Sequence, residues 1–202
     1  MIDNPTSYLT ETAYYDLASY HFQNGKYTYA LKWFTKIKDT DVASSKRADY
    51  YFNKAYTLFA TKRYKQAEKL FKKVENESKY RYDASYYLGY IAYQLEDYDA
   101  AVENFNKVTT EKGDTTVGYF QADMNFKLGR FDKAIALARK SFANANENQT
   151  SELSKIIGES YFNLKDYRSA LPYLEVYKGK RGKWSNTDFY QLGYTHYRLG
   201  EY

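Results

Sequence analysis

Around six small residues, Ala18, Ala55, Gly89, Ala122, Gly158 and Gly193, the chain gathers side chains suited to binding. One position after each stand Ser19, Tyr56, Tyr90, Asp123, Glu159 and Tyr194, and three before stand Tyr15, Phe52, Tyr86, Tyr119, Lys155 and Tyr190. Four after, always aromatic, stand Phe22, Phe59, Tyr93, Phe126, Phe162 and Tyr197. Steps of four and then three place all of these on one helix face. Tyrosine offers large area, few rotors to freeze and a hydroxyl for a peptide backbone, so such a face suits an extended protein segment. The four-after aromatics are better explained as packing between neighbouring units. Tyr56, Tyr90 and Tyr194 are the ones that packing explains least, and Asp123, Lys155 and Glu159 make a more charged patch.

No reaction centre emerges from the same search. The chain has no cysteine, which excludes disulfides, thiolate metal sites and thiol nucleophiles. Its two histidines, His21 and His196, sit three residues after the first and last small residues, too many units apart to share a metal. Asp123 and Glu159 fall on neighbouring units with no evident proton-transfer partner. The stretch from Lys178 to Lys183 lacks the glycine spacing and the Lys-Ser/Thr pair of a phosphate loop and reads as a flexible connector. Lys62, Arg63, Lys65, Lys69, Lys72 and Lys73 read as a solvated outer face. No enzyme, cofactor or metal is expected.

What positions the binding face is a repeat. Nine residues after each small residue comes an aromatic, Tyr27, Tyr64, Tyr98, Phe131, Tyr167 and Tyr202, at intervals of 33 to 37. Alanine follows three later at Ala30, Ala67, Ala101, Ala134 and Ala170. Turns such as Asn24-Gly25-Lys26, Glu96-Asp97 and Leu128-Gly129-Arg130 separate a first helix carrying the small residue from a second helix opening at the aromatic. Where two helices cross at minimum distance, both contact residues must be small. With ten glycines, two prolines and no β-branched runs, the class is all-α. The units fall near 11–47, 48–81, 82–114, 115–150 and 151–185, with a partial unit at 186–202, in one solenoid domain. Three departures stand out. Lys54 takes a slot that is leucine elsewhere; Gln121 and Asn125, four apart, are expected to hydrogen-bond each other; Pro172 is expected to delay or bend its helix.

Leu88-Gly89-Tyr90 with Asp97-Tyr98 and Ala101 to Phe105, and again Leu192-Gly193-Tyr194 with Gly200-Glu201-Tyr202, resemble the tetratricopeptide repeat. The resemblance implies a right-handed α-solenoid whose first helices line a concave groove, and a protein or peptide partner in that groove. The basic, asparagine-rich clamp with which some members grip a C-terminal carboxylate is not reproduced.

Thirty basic against 25 acidic residues give a net charge of +5, which supports weak attraction to anions. Nucleic acid is disfavoured, because the positive charges fall mostly on second helices and loops, away from the aromatic face. A cell-envelope protein handling glycans is the alternative and requires exposed flat rings with convergent polar groups. The composition resembles that of bacterial repeat proteins, of the envelope or the cytoplasm. No apolar run reaches membrane-span length and no signal peptide is evident, although the stop at Tyr202, within a unit, suggests a piece of a longer protein. The last helix, from about Thr187 to Tyr202, is expected to leave Leu192, His196 and Leu199 uncovered, an invitation to dimerise.

Overall fold

The computed structural model describes residues 5–112, 117–180 and 182–201. Among these the regular elements are α-helices, with 3-10 turns at Asp39–Asp41 and Phe142–Asn144. In chain order they are α1 (Pro5–Gln23), α2 (Tyr27–Phe34), α3 (Ser44–Ala60), α4 (Tyr64–Phe71), α5 (Arg81–Gln94), α6 (Tyr98–Lys112), α7 (Gly118–Lys127), α8 (Phe131–Ser141), α9 (Glu147–Asn163), α10 (Tyr167–Val176) and α11 (Asn186–Leu199). The fold is all-α, a repeat of antiparallel helix pairs. By internal contacts the chain divides into two compact units, Met1–Leu95 and Glu96–Tyr202.

A single turn geometry is reused throughout. Two residues before each opening aromatic the backbone is left-handed: Gly25 (φ 68°), Lys62 (60°), Glu96 (62°), Gly129 (69°), Lys165 (63°) and Gly200 (75°). After α3, the Lys62 N–H donates to the Phe59 carbonyl at 2.9 Å and the Arg63 N–H to the Leu58 carbonyl at 2.8 Å. The turns after α1, α7, α9 and α11 repeat both bonds at 2.8–3.2 Å. This is the Schellman closure, which satisfies carbonyls that a helix end would otherwise leave open.

The small residues do what close approach demands. Ala18, Ala55 and Ala122 on the first helices, and Ala30, Ala67, Ala134 and Ala170 on the second, are fully buried. A methyl group added at Gly158 would lie 2.8 Å from Leu174 Cδ2 and 3.1 Å from the Leu174 backbone nitrogen. Around these contacts the first unit buries Phe34, Ile37, Val42 and Tyr50 in one cluster and Leu58, Phe71, Val74, Leu88 and Ile91 in another. The second unit buries Ile135, Leu153, Ile156 and Ile157.

The departures resolve individually. Lys54 is half-buried and useful: its Nζ donates to the Tyr50 hydroxyl at 2.6 Å and lies 3.7 Å from Asp39, whose carboxylate also takes the Tyr50 hydroxyl at 3.1 Å. Gln121 and Asn125 do not pair through their side chains. Asn125 Nδ2 instead reaches back to the Gln121 backbone carbonyl at 2.7 Å, while Gln121 Nε2 donates to Asn106 at 3.0 Å and Thr109 at 3.1 Å. A short amide four residues on meets the carbonyl of its own helix before it meets the neighbouring side chain; Asn163 and Asn104 do likewise. Pro172 does not delay its helix, since α10 begins at Tyr167, where the Asp166 carboxylate caps it by accepting the Ser169 N–H at 3.1 Å.

After α10 the described residues are held by specific contacts. Lys180 and Lys183 form an isolated antiparallel bridge, the Lys178 N–H donates to Ser151 Oγ at 3.0 Å, and the Lys178 ammonium pairs with Glu147. No helix among the described residues is long and apolar enough to cross a membrane.

Candidate functional site

The four-after aromatics staple the turns. Phe22 meets Tyr27 at 6.0 Å between centroids, Phe59 meets Tyr64 at 5.8 Å, Phe126 meets Phe131 at 5.8 Å and Phe162 meets Tyr167 at 5.7 Å. Each pair joins the end of one helix to the start of the next, at separations typical of favourable aromatic contacts. The one-after tyrosines add a third ring. Tyr56 lies 5.7 Å from Phe22 and 5.3 Å from Tyr27; Tyr194 lies 5.9 Å from Phe162 and 5.8 Å from Tyr167; Tyr90 lies 5.4 Å from Phe59. These tyrosines therefore carry packing between consecutive helix pairs.

The three-before positions divide. Phe52 stacks on Tyr80 at 4.3 Å and sits edge-on to Phe71 at 5.7 Å, within the core. Tyr86 lies edge-on to its neighbour Tyr87, and Tyr119 packs against the Ala122 cluster. Tyr190, stacked on Tyr194 at 5.7 Å, is 61% exposed. It shares α11 with Phe189 and Tyr197, exposed to 62% and 61%, whereas Leu192, His196 and Leu199 are half-buried. The exposed apolar surface of α11 is thus a different one from that expected.

Tyr15 opens onto a groove of about 520 Å³ in the first unit. Its walls are Asp16 and Ser19 from α1, Asp49 and Asn53 from α3, and Tyr80. Asp49 accepts the Lys79 ammonium at 2.9 Å and the Tyr80 hydroxyl at 2.8 Å. The Lys79 bond first, and the Tyr80 bond after it, hold the Asp49 carboxyl below its usual range against partial burial. Burial, helped by the nearby Asp49 charge, pushes the Tyr15 hydroxyl up. Asp16, Asp49 and Asn53 are not among the residues the sequence pattern singles out. The signal for Asp16 and Asn53 was present: they stand two before a small residue, where Tyr87, Phe120 and Ile156 stand in three other units, and Gln191 in the last is polar too.

In the second unit, Lys155, Glu159, Asp188 and Gln191 come together, with Asp123 nearby. The capping box of Ser185 and Asp188 fixes the start of α11 and the position of Asp188. Lys155 Nζ bonds Asp188 at 2.9 Å and is 3.8 Å from Glu159. Asp123 pairs with Lys127 at 2.9 Å. Glu159 is only 8% exposed, and that burial pushes its carboxyl up despite Lys155, with the Asp188 and Asp123 charges adding to the rise. Burial opposes the charge on both Lys155 and Asp188, yet their mutual bond prevails, holding the ammonium up and, with Ser185, the carboxyl down. Among the described residues no group of three His, Cys, Asp or Glu side chains could hold a metal ion.

Solved structures share the fold. MamA MSR-1 superposes with a TM-score of 0.68 at 18% identity, over 95% of this chain and 99% of that one. The fold is that of the tetratricopeptide repeat. MamA AMB-1 gives 0.72 at 20% identity over 89% and 96%, and YrrB, described as a TPR protein with an unusual peptide-binding site, gives 0.68 at 18% over 82% and 83%. Tetratricopeptide repeat models match residues 48–77 and 75–114. No curated protein matches significantly.

Proposed function

We propose that the protein is a non-catalytic scaffold that binds a peptide or helix of a partner protein along the tyrosine-rich face of its first helices. The observation that carries this is the first-unit groove, in which Tyr15 and Tyr80 supply flat area while Asp16, Ser19 and Asn53 supply donors and acceptors at the spacing of a helix surface. Repeats of this fold present extended surfaces suited to such partners, and YrrB, similar in fold, is described as having a peptide-binding site.

A displayed peptide library panned on the purified protein tests the reading. Selected peptides should lose about tenfold or more in affinity when Asn53→Trp fills the groove or Asp16→Ala removes a wall, with helical content unchanged. A selection that returns no peptide, or peptides indifferent to both substitutions, refutes it. Capture of a neutral oligosaccharide in place of peptides favours the glycan alternative.

A further inference from the structure

We propose that the corner formed by Asp123, Glu159 and Gln191 in the second unit holds one cationic side chain, a lysine or an arginine, of the bound protein segment. The proposal rests on the scaffold reading only for the source of that side chain.

Among the described residues the local charges do not balance. Three carboxylates, Asp123, Glu159 and Asp188, face two ammonium groups, Lys127 and Lys155. Each ammonium is already committed. Lys127 bonds Asp123 at 2.9 Å and lies 5.0 Å over the Tyr98 ring; Lys155 bonds Asp188 at 2.9 Å and lies 4.6 Å over Tyr177. Glu159 is left with an ammonium at 3.8 Å, beyond hydrogen-bond length, and with the side-chain bond it receives from Gln191.

A second observation is independent of the charges. Gln191 is 9% exposed and its amide is aimed at Glu159, yet Gln191 Oε1 is buried with no hydrogen-bond partner. Buried amide oxygens are normally satisfied. A carboxylate and an amide oxygen side by side, both short of donors, match the several N–H groups of one ammonium or guanidinium.

The repeat supplies a reason for the vacancy of aromatic packing here. Tyr56 and Tyr194 fill the same slot with a third ring against Phe22 and Tyr27, or Phe162 and Tyr167. In the intervening unit the corresponding pair is Phe126 and Phe131, and the slot holds Glu159. A buried carboxylate in a slot that rings pack at Tyr56, Tyr90 and Tyr194 sacrifices stability and points to recognition.

The test is a titration of the whole chain with N-acetyl-arginine amide, followed at the side-chain amide signal of Gln191 by nitrogen–proton NMR. The expected result is a saturable shift of that signal, absent with the uncharged N-acetyl-citrulline amide, and an affinity about tenfold weaker in Glu159→Gln. Asp123→Asn, at a mostly buried carboxylate paired with Lys127, should weaken binding as well and covers the case in which Glu159→Gln fails to fold. An unshifted Gln191 signal, an equal shift with the citrulline compound, or affinities unchanged by the substitutions would overturn the proposal. Because the probe is a single amino-acid amide, these outcomes are separate from success or failure of the peptide selection.

Discussion

Replacing Lys62 and Lys165 by glycine should stabilise the protein. Both are held left-handed, at φ 60° and 63°, in turns where Gly25, Gly129 and Gly200 take the same conformation. A left-handed L-residue costs roughly 1–2 kcal/mol, and glycine returns about 0.4–1 kcal/mol of that through the freedom of the unfolded chain. Both lysines are exposed and bond nothing through their side chains among the described residues, so little else is lost. The net gain is about 0.5–1 kcal/mol per site. The sites lie in separate compact units and should add, which amounts to roughly half a molar in the urea midpoint at typical slopes for a chain of this size. Gly25→Ala and Gly129→Ala are the reciprocal controls. A methyl group there meets nothing within 4 Å, so backbone strain alone should destabilise each by about 1 kcal/mol. Urea unfolding followed by circular dichroism reads both. If the glycine variants lose stability, or the alanine controls are neutral, the turns do not carry the strain assigned to them.

Three further outcomes follow from particular contacts. Gly158→Ala should cost about 1–3 kcal/mol because Leu174 presents backbone as well as side chain to the new methyl, whereas Gly193→Ala, with nothing within 4 Å, should gain about 0.5–1 kcal/mol; thermal melts of the pair decide. Tyr50→Phe removes the hydroxyl shared by Lys54 and Asp39 and should cost about 1–3 kcal/mol. Burial opposes the Asp39 charge, but bonds from Lys73 and Tyr50 outweigh it and depress the carboxyl, so its contribution is present above the ordinary aspartate range and lost as pH falls through the depressed value. Acid unfolding of Tyr50→Phe should therefore begin at higher pH. Glu159 has the opposite sign: with its carboxyl raised by burial, its contribution is full below the ordinary glutamate range and is lost as pH rises through the raised value. Glu159→Gln should gain more stability at pH 7 than at pH 4, and an equal change at both would contradict the assigned burial.

The helix pairs were legible because the small residue, the left-handed turn and the opening aromatic are set by local geometry and recur in register. Ala18 with Ala30, or Ala122 with Ala134, admits no other explanation than close helix crossing. Which aromatic faces solvent was less legible. Phe52 and Tyr15 share a slot, yet Phe52 has Tyr80 stacked upon it while Tyr15 opens onto a groove, a difference made by a loop far along the chain. Side chains on a helix also lean toward its N-terminus, so part of the groove wall comes from the two-before positions, Asp16 and Asn53. Glu159 could be found from the sequence as the charge among tyrosines, but its bond from Gln191 depends on α11 being set by the Ser185 cap.

The turn closure has a practical consequence. Since Lys26 and Arg63 enter it through their main-chain N–H groups, their side chains, both exposed, are not needed for the closure. The chain has no native thiol, so cysteines introduced at these two positions would be the sole sites for maleimide dyes. Energy transfer between them would serve as a molecular ruler for the stacking of consecutive helix pairs, and would report any change in that spacing when a ligand enters the adjoining groove.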